Sequence, residues 1–413
     1  MFSIKLGLRN LIRQKRRNLI TALVIAFAFF AYLCMDSMLE GILDMSFKNI
    51  IDFETGNIQV AHPAYWEERK ELPLNNLIYL NQEVKESLES IDELSGISPE
   101  LRFTATLNNG IDEIPVIGIG MDPELYKKVF ITQDYLVTGN MFSMGEYQTI
   151  IGTNLARLMD LNINDNVTLL VRTKEETFNA IDVEIVGLFR THNPMINEGT
   201  VFLPLDIAQR SLNVDDQVSL IALKIDKEKE SKIITENLAR TFKRKGLNLN
   251  VYSWQESVAN LVVFSKYERA ENLIILSIVL LIGMVGIINN IILSALERTE
   301  EIGMMKALGM KEIEIVLVFM VEAVGIGMMG GLLGCFLGVL GVGWMNKFGY
   351  DLSYIGDDMS TYGIPVLDKI YGVWNFSAFV FLFLLGVIVA LLSSIVPAWW
   401  AARKDPVKAI YHR

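Results

Sequence analysis

The sequence predicts an α-helical membrane protein: four transmembrane helices plus a large α+β domain outside the membrane, carried on a helical stalk. Three observations predict it. Of 413 residues, 51% are hydrophobic and 21% charged, too oily for an ordinary soluble protein and too polar for a bundle lying wholly in lipid. Four windows stay apolar over the roughly 20 residues a helix needs to cross a bilayer core. Between the first two windows, residues 41–265 are polar and alternate strand-like with helix-like patterns.

The elements follow in chain order. Residues 1–18 read as a basic amphipathic helix, with Lys5, Arg9, Arg13, Lys15, Arg16 and Arg17 and no acid. Residues 19–40 form span 1. Basic residues before an apolar run also open secretory signals. However, no small-x-small cleavage site follows a short core, and Leu33 is too large for a lipid-attachment box at Cys34, so a retained span is expected. Spans 2, 3 and 4 fall at 273–295, 315–345 and 374–396. Arg403, Lys404, Lys408 and Arg413 outnumber Asp405 after span 4, which puts both termini in the cytoplasm. The link after span 3 carries Asp351, Asp357, Asp358 and Asp368 against Lys347 and Lys369, which suits the outer side. Four spans then place 41–265 outside the membrane and 296–312 inside.

Within 41–265, strands are predicted at 56–61, 218–225 and 247–252, on either side of the turn "NNG" at 108–110, and in an insertion at about 130–215 (166–171, 182–189, 201–205). Helices are predicted at 81–93, at 153–160 and on the face Ile234, Leu238, Phe242. The pattern reads as two β-α-β-like halves split by a β-rich insertion that lacks other helix-length apolar runs. Residues 41–52 and 254–272 extend spans 1 and 2 outward with helical patterning, as two stalk helices would; the alternative is that they only finish the spans.

Several function classes are excluded or unsupported. A net charge of −11 argues against nucleic acid as a partner, and the basic run 13–18 beside span 1 suits lipid headgroups. Cys34 and Cys335 lie in apolar stretches, so no disulfide framework is expected. His62, His192 and His412 have no ligand spacing, so no metal is expected. No G-x-x-x-x-G-K-[ST], H-E-x-x-H, G-x-S-x-G or C-x-x-C occurs, so no catalytic residues are assigned and the chain is not expected to be an enzyme. Glu322 is an acid inside span 3 that either lines a polar interface or sits near the headgroups, the second being expected a few residues past Lys311. Gly327, Gly330, Gly331, Gly334 and Gly338 give G-x-x-x-G spacings that serve either packing within the chain or a dimer face.

The link 294–310, "SALERTEEIGMMKALGM", is charged, short and attached to two spans. Ile302, Met305 and Leu308 recur at three-residue spacing and are expected to present an apolar ridge to a partner, with charges at its rim. Gly303 allows close approach, and Gly309 ends the helix. Pattern alone leaves a plain interfacial hairpin equally open.

The stretch "ERTEEIGMMKALGM" resembles the coupling segment of ABC-transporter permeases of the MacB/FtsX/Lol superfamily, R-x-x-E-I-G-x-x-[KR]-A-x-G, through Arg298, Glu301, Ile302, Gly303, Lys306, Ala307 and Gly309. "LGLRNLIRQKRRNLIT" is similar to the basic helix that opens such chains, and "PAWWAARKDPVKAI" to their closing motif. "IIGTNLARLMDLNINDNVTLL" resembles a recurrent stretch of the extracytoplasmic domain, with Asn164 where glycine is usual. The resemblance implies a separate cytoplasmic ATPase dimer, which binds ATP and Mg2+ while this chain binds no cofactor, and a second permease, identical or paralogous. It also implies that Glu297, Arg298, Glu301, Ile302, Gly303, Met305, Lys306, Ala307, Leu308 and Gly309 couple to that ATPase.

Among the branches, MacB proteins carry a fused ATPase and FtsX proteins a smaller outer domain. The four-span layout and "ETGNIQVAHPAYWEE" look most like the lipoprotein-releasing (LolC/LolE-type) permeases of the bacterial inner membrane. That branch implies lipoproteins as substrate, an extracytoplasmic carrier, contact with membrane lipids, and a substrate cleft between spans 1 and 2. Candidates for the cleft are Phe29, Phe30, Leu33 and Met38 with Phe264, Ile274, Ile275 and Ile278. An export permease for peptides, antibiotics or lipids, or a scaffold that activates a cell-wall hydrolase, are the competing classes.

Overall fold

The computed structural model describes residues 2–89, 94–225, 231–350 and 369–403. They form two compact units: 2–43, 264–350 and 369–403 in one, and 44–263 in the other. The acidic stretch with Asp351, Asp357, Asp358 and Asp368 lies outside the described residues. So does the tail with Lys404, Asp405, Lys408, His412 and Arg413, including the end of the closing motif.

The first unit is helical. An N-terminal helix, Phe2–Arg13, precedes four long helices that carry the spans: Lys15–Ile50, Ala259–Glu297, Glu312–Phe348 and Phe376–Ala402. Each contains an apolar window long enough to cross a membrane. Span 3 is the hub. A Cβ built on Gly334 would lie 2.6 Å from Phe29 Cβ, and one on Gly330 would lie 2.9 Å from the Ala22 carbonyl oxygen, both in span 1. On the side toward span 4, Gly327 meets Ala390 at 2.6 Å and Gly331 meets Phe383 at 2.9 Å. These glycines therefore serve packing within the chain, where only a hydrogen lets the helix backbones approach so closely. Span 4 outruns its predicted window: its helix passes through Pro397 and ends at Ala402, with Ala398, Ala401 and Ala402 buried. Helix also extends past the span windows, to Ile50 in span 1 and back to Ala259 in span 2.

The second unit is built on strands β1 (Ile58–Ala61), β2 (Ile78–Tyr79), β3 (Leu94–Asn108), β4 (Glu113–Met121), β5 (Leu136–Gly139) and β6 (Gln148–Gly152). It continues with β7 (Asn166–Arg172), β8 (Phe178–Phe189), β9 (Thr200–Pro204), β10 (Gln217–Val218), β11 (Leu220–Ile225) and β12 (Asn250–Ser253). Ten of them form one sheet in the order β12-β1-β11-β3-β4-β9-β6-β8-β5, with β7 bridging β3 and β8. The pairings β3–β4–β9–β6–β8–β7–β3 close into a ring. Period-2 burial fills it: Leu101, Phe103, Ala105 and Leu107 from β3, and Ile181, Val183 and Ile185 from β8, point inward.

The β-rich insertion is continuous with the rest of the sheet, because β9 lies beside β4. It also holds a short helix beyond 153–160. Residues Leu205–Leu212 are helical, burying Leu205, Ala208 and Leu212 on one face. Those positions follow directly on strand β9, and a helix of about two turns carries little periodicity. The expected strand 218–225 is broken at Ser219, whose buried hydroxyl accepts from Arg102 N at 3.0 Å and donates to Arg102 O. The expected helix faces are present: Val84 and Leu88, and Ile234, Leu238 and Phe242, are buried. Asn164, where glycine was expected, has φ +71°, a region Asn tolerates better than most residues.

Candidate functional site

The link is a helix, Thr299–Ala307, set off from span 2 by a break at Arg298 (φ −113°, ψ 22°). Its C-terminus is closed by backbone alone. Gly309 takes φ +89°, its N–H donates to Lys306 O at 2.9 Å, and Met310 N–H reaches back to Met305 O at 3.0 Å. This double bond is a Schellman closure, and it requires a left-handed residue, the role glycine fills without strain. Span 3 then starts at once, with Glu314 accepting from Lys311 N at 2.9 Å. Both ends of the link are therefore tied down.

Its charges, Glu300 excepted, are paired inside the chain. Glu301 accepts from Arg13 at 2.7 Å, and Glu297 accepts from Arg17 at 2.7 Å and from Gln14 at 3.1 Å. Lys306 pairs with Glu312 at 3.5 Å. Arg298 is buried, 3.7 Å from Glu301 on one side and 3.7 Å from Glu322 on the other. The N-terminal helix packs on span 3: a Cβ built on Gly7 would lie 2.9 Å from Val321, and one built on Gly325 would run into Leu11. Arg13 and Arg17 thus hold the link, a role that reading the basic run for lipid and topology missed.

Two expectations need correction here. Ile302 is 1% exposed and Met305 packs on the helical core, so with Leu308 they do not form an outward ridge. At 3.6 residues per turn, positions three apart are rotated by about 60° at each step, so Ile302, Met305 and Leu308 run from a buried to an exposed face. The face left open is Glu300, Met304, Ala307 and Leu308, with Leu308 88% exposed. Glu322 is not near solvent: it has no exposed surface and accepts from Ser294 at 3.3 Å as well as facing Arg298. A buried acid and a buried arginine on adjacent helices find each other because each alone is costly in an apolar surround.

The proposed cleft residues are not brought together either. Phe29 and Leu33 are core, filling the spaces over Gly334 and Gly338, and Phe30 covers Gly341. Met38 is half-buried, whereas Phe264, Ile274, Ile275 and Ile278 of span 2 are exposed. Span 1 instead meets span 2 through polar and small residues: Asn290 donates to Thr21 at 2.9 Å, and Ile25 lies 3.7 Å from a Cβ on Gly283. At the far end, Asp36 accepts from Asn272 at 2.9 Å and from Asn375, the cap of span 4, at 3.0 Å. Arg269 pairs with Glu40 at 3.1 Å a turn beyond. Asp36 was passed over in the sequence, though an acid in an apolar window is itself a signal. Among the described residues no group of three His, Cys, Asp or Glu is placed to hold a metal.

Residues 273–406 match the family described as FtsX-like permease C-terminal, and residues 19–240 match the MacB-like periplasmic core domain. The lipoprotein-releasing system transmembrane protein LolC of Xylella fastidiosa is 24% identical over 331 residues, covering 77% of this chain and 78% of that protein. The macrolide export ATP-binding/permease protein MacB of Bartonella henselae is 22% identical over 419 residues, covering 96% of this chain and 57% of that protein. Among solved structures, the extracellular domain of the noncanonical ABC-type transporter YknZ from Gram-positive bacteria aligns with a TM-score of 0.36 at 14% identity, over 48% of this chain and 100% of that one.

Proposed function

We propose, for a chain that belongs to the FtsX/MacB/Lol family of ABC-transporter permeases, that it passes the work of ATP hydrolysis in a separate cytoplasmic ATPase pair to the sheet domain across the membrane. ATP and Mg2+ bind in that partner, a second permease completes the assembly, and both termini lie in the cytoplasm. The observation that carries this reading is the link. A helix fixed at both ends and pinned to Arg13, with Glu300, Met304, Ala307 and Leu308 open, is built to receive force without bending.

Release of lipidated proteins from the outer leaflet to a carrier is the substrate reading we favour, since LolC-type relatives match across most of their length. Export of a small molecule or peptide is the second reading, favoured by the MacB-type relatives that match nearly the whole chain.

The docking test is Met304→Asp and Leu308→Asp, which place charge on the open face without touching the core. Both should abolish copurification of the ATPase while the permease still inserts. Retention of wild-type copurification in both would refute the docking role. Mass identification of lipidated proteins bound to the intact complex separates release from export.

A further inference from the structure

The sheet domain contains a cavity of about 550 Å3, a size that suits small organic ligands. Its floor is the β3–β4 face, and its walls are the helix Pro194–Gly199 and the π-helix Ile51–Thr55, through Phe53 and Glu54. Ile117 and Met195 stand exposed at its mouth. Most of the lining is aliphatic or aromatic, but one end holds a charged cluster.

Arg102 donates to Glu100 Oε2 from Nε at 2.8 Å, with Nη2 2.7 Å from the same oxygen, and Nη2 donates to the main-chain oxygen of Glu54 at 2.6 Å. The guanidinium therefore serves Glu100 and the Glu54 backbone, not the Glu54 carboxylate. One Glu54 carboxylate oxygen accepts from Asn193 at 2.5 Å; the other has no hydrogen-bond donor among the described residues. Glu100 is 1% exposed, and its Oε1 is likewise without a donor. Glu100 takes the guanidinium behind the cavity wall and does not line the cavity, which leaves the Glu54 carboxylate as the negative charge that faces it beside an apolar wall. Such a charge is costly unless paired, and a cation brought against it is held more firmly than in water.

We propose that this cavity binds a small amphiphilic amine, with an apolar or aromatic body on the β3–β4 face and an ammonium head that donates to Glu54. A carboxylate head is disfavoured because it would meet the Glu54 carboxylate, while the Arg102 guanidinium beside it is already paired with Glu100. The site lies within the sheet domain and is independent of the link and its ATPase.

The test uses the full chain in nanodiscs and three water-soluble probes of one shape, followed by fluorine NMR: 4-fluorophenethylamine, 3-(4-fluorophenyl)propionate and 2-(4-fluorophenyl)ethanol. Empty nanodiscs correct for lipid partitioning. The amine should bind at least about tenfold more tightly than the carboxylate. Ile117→Trp, at the exposed rim, should abolish amine binding without unfolding the domain. Glu54→Gln should erase the preference of amine over alcohol. Absence of amine binding to the unaltered chain, equal or tighter binding of the carboxylate, or amine binding that survives Ile117→Trp would each overturn the proposal.

Discussion

The guanidinium of Arg298, at the break between span 2 and the link, lies 3.7 Å from the carboxylate of Glu322 in span 3, and the two side chains are only 7% and 0% exposed. The pair joins the link to the helix on which spans 1 and 4 pack. Removing one member should be worse than removing both. Arg298→Met leaves Glu322 buried and unpaired, a loss of about 3–5 kcal/mol, whereas Arg298→Met with Glu322→Met should recover most of it. Thermal unfolding in nanodiscs measures both; equal destabilisation in the single and double variants would mean the pair is not the cause.

Arg13 and Glu301 lie 2.7 Å apart, 66% and 38% exposed, so their direct contribution to stability is at most about 1 kcal/mol. Their expected role is to hold the link in place. Arg13→Glu and Glu301→Lys should each reduce ATPase stimulation, and the combined swap should restore more of it than either single change. If Glu301 instead meets a partner chain, the swap gives no rescue.

Gly334→Leu forces a side chain into space occupied by Phe29 and the Ala26 carbonyl. Overpacking of this kind costs about 1–3 kcal/mol or more, and span 1 has to shift. Gly309→Ala meets nothing within 4 Å, and its cost is conformational, about 1 kcal/mol, from φ +89°. Cysteine cross-linking between spans 1 and 3 should change in the first variant and not in the second.

Burial pushes the Glu100 carboxyl above its ordinary range, outweighing the neighbouring Arg102 guanidinium. Between the ordinary value and the raised one, the folded sheet domain binds more proton than the unfolded chain. The stability that Glu100 contributes is therefore fully present below the ordinary carboxylate pKa of about 4.3 and is lost as pH rises through the raised value. Hydrogen exchange of β3 amides across this range measures it, and Glu100→Gln should flatten the slope.

How much was legible depended on range. The spans, the turn at Gly110, the closure at Gly309 and the buried faces of Val84–Leu88 and Ile234–Phe242 depend on neighbours a few residues away, so one sequence displays them. What Gly334 packs against, or that Arg13 holds Glu301, depends on which helix lies beside which. Periodicity is silent on that. The same limit hid the ring: nothing local to Ala105 announces that it pairs with Val171. Phe29 and Leu33 were misread because a large apolar residue in a span looks alike whether it meets lipid, ligand or a glycine on the next helix.

Strand β1 lies between β11 and β12, with Ile58 opposite both Leu223 and Ser253. Both neighbours are made long after it. During synthesis, β1 therefore emerges with two bare edges and stays so until residue 253 has followed. An unpaired strand with buried Ile58 and Val60 is a template for wrong pairing, and closing so long a loop slows correct pairing. The domain thus completes its sheet only after synthesis has passed its last strand, and biogenesis must shelter β1 in the interval.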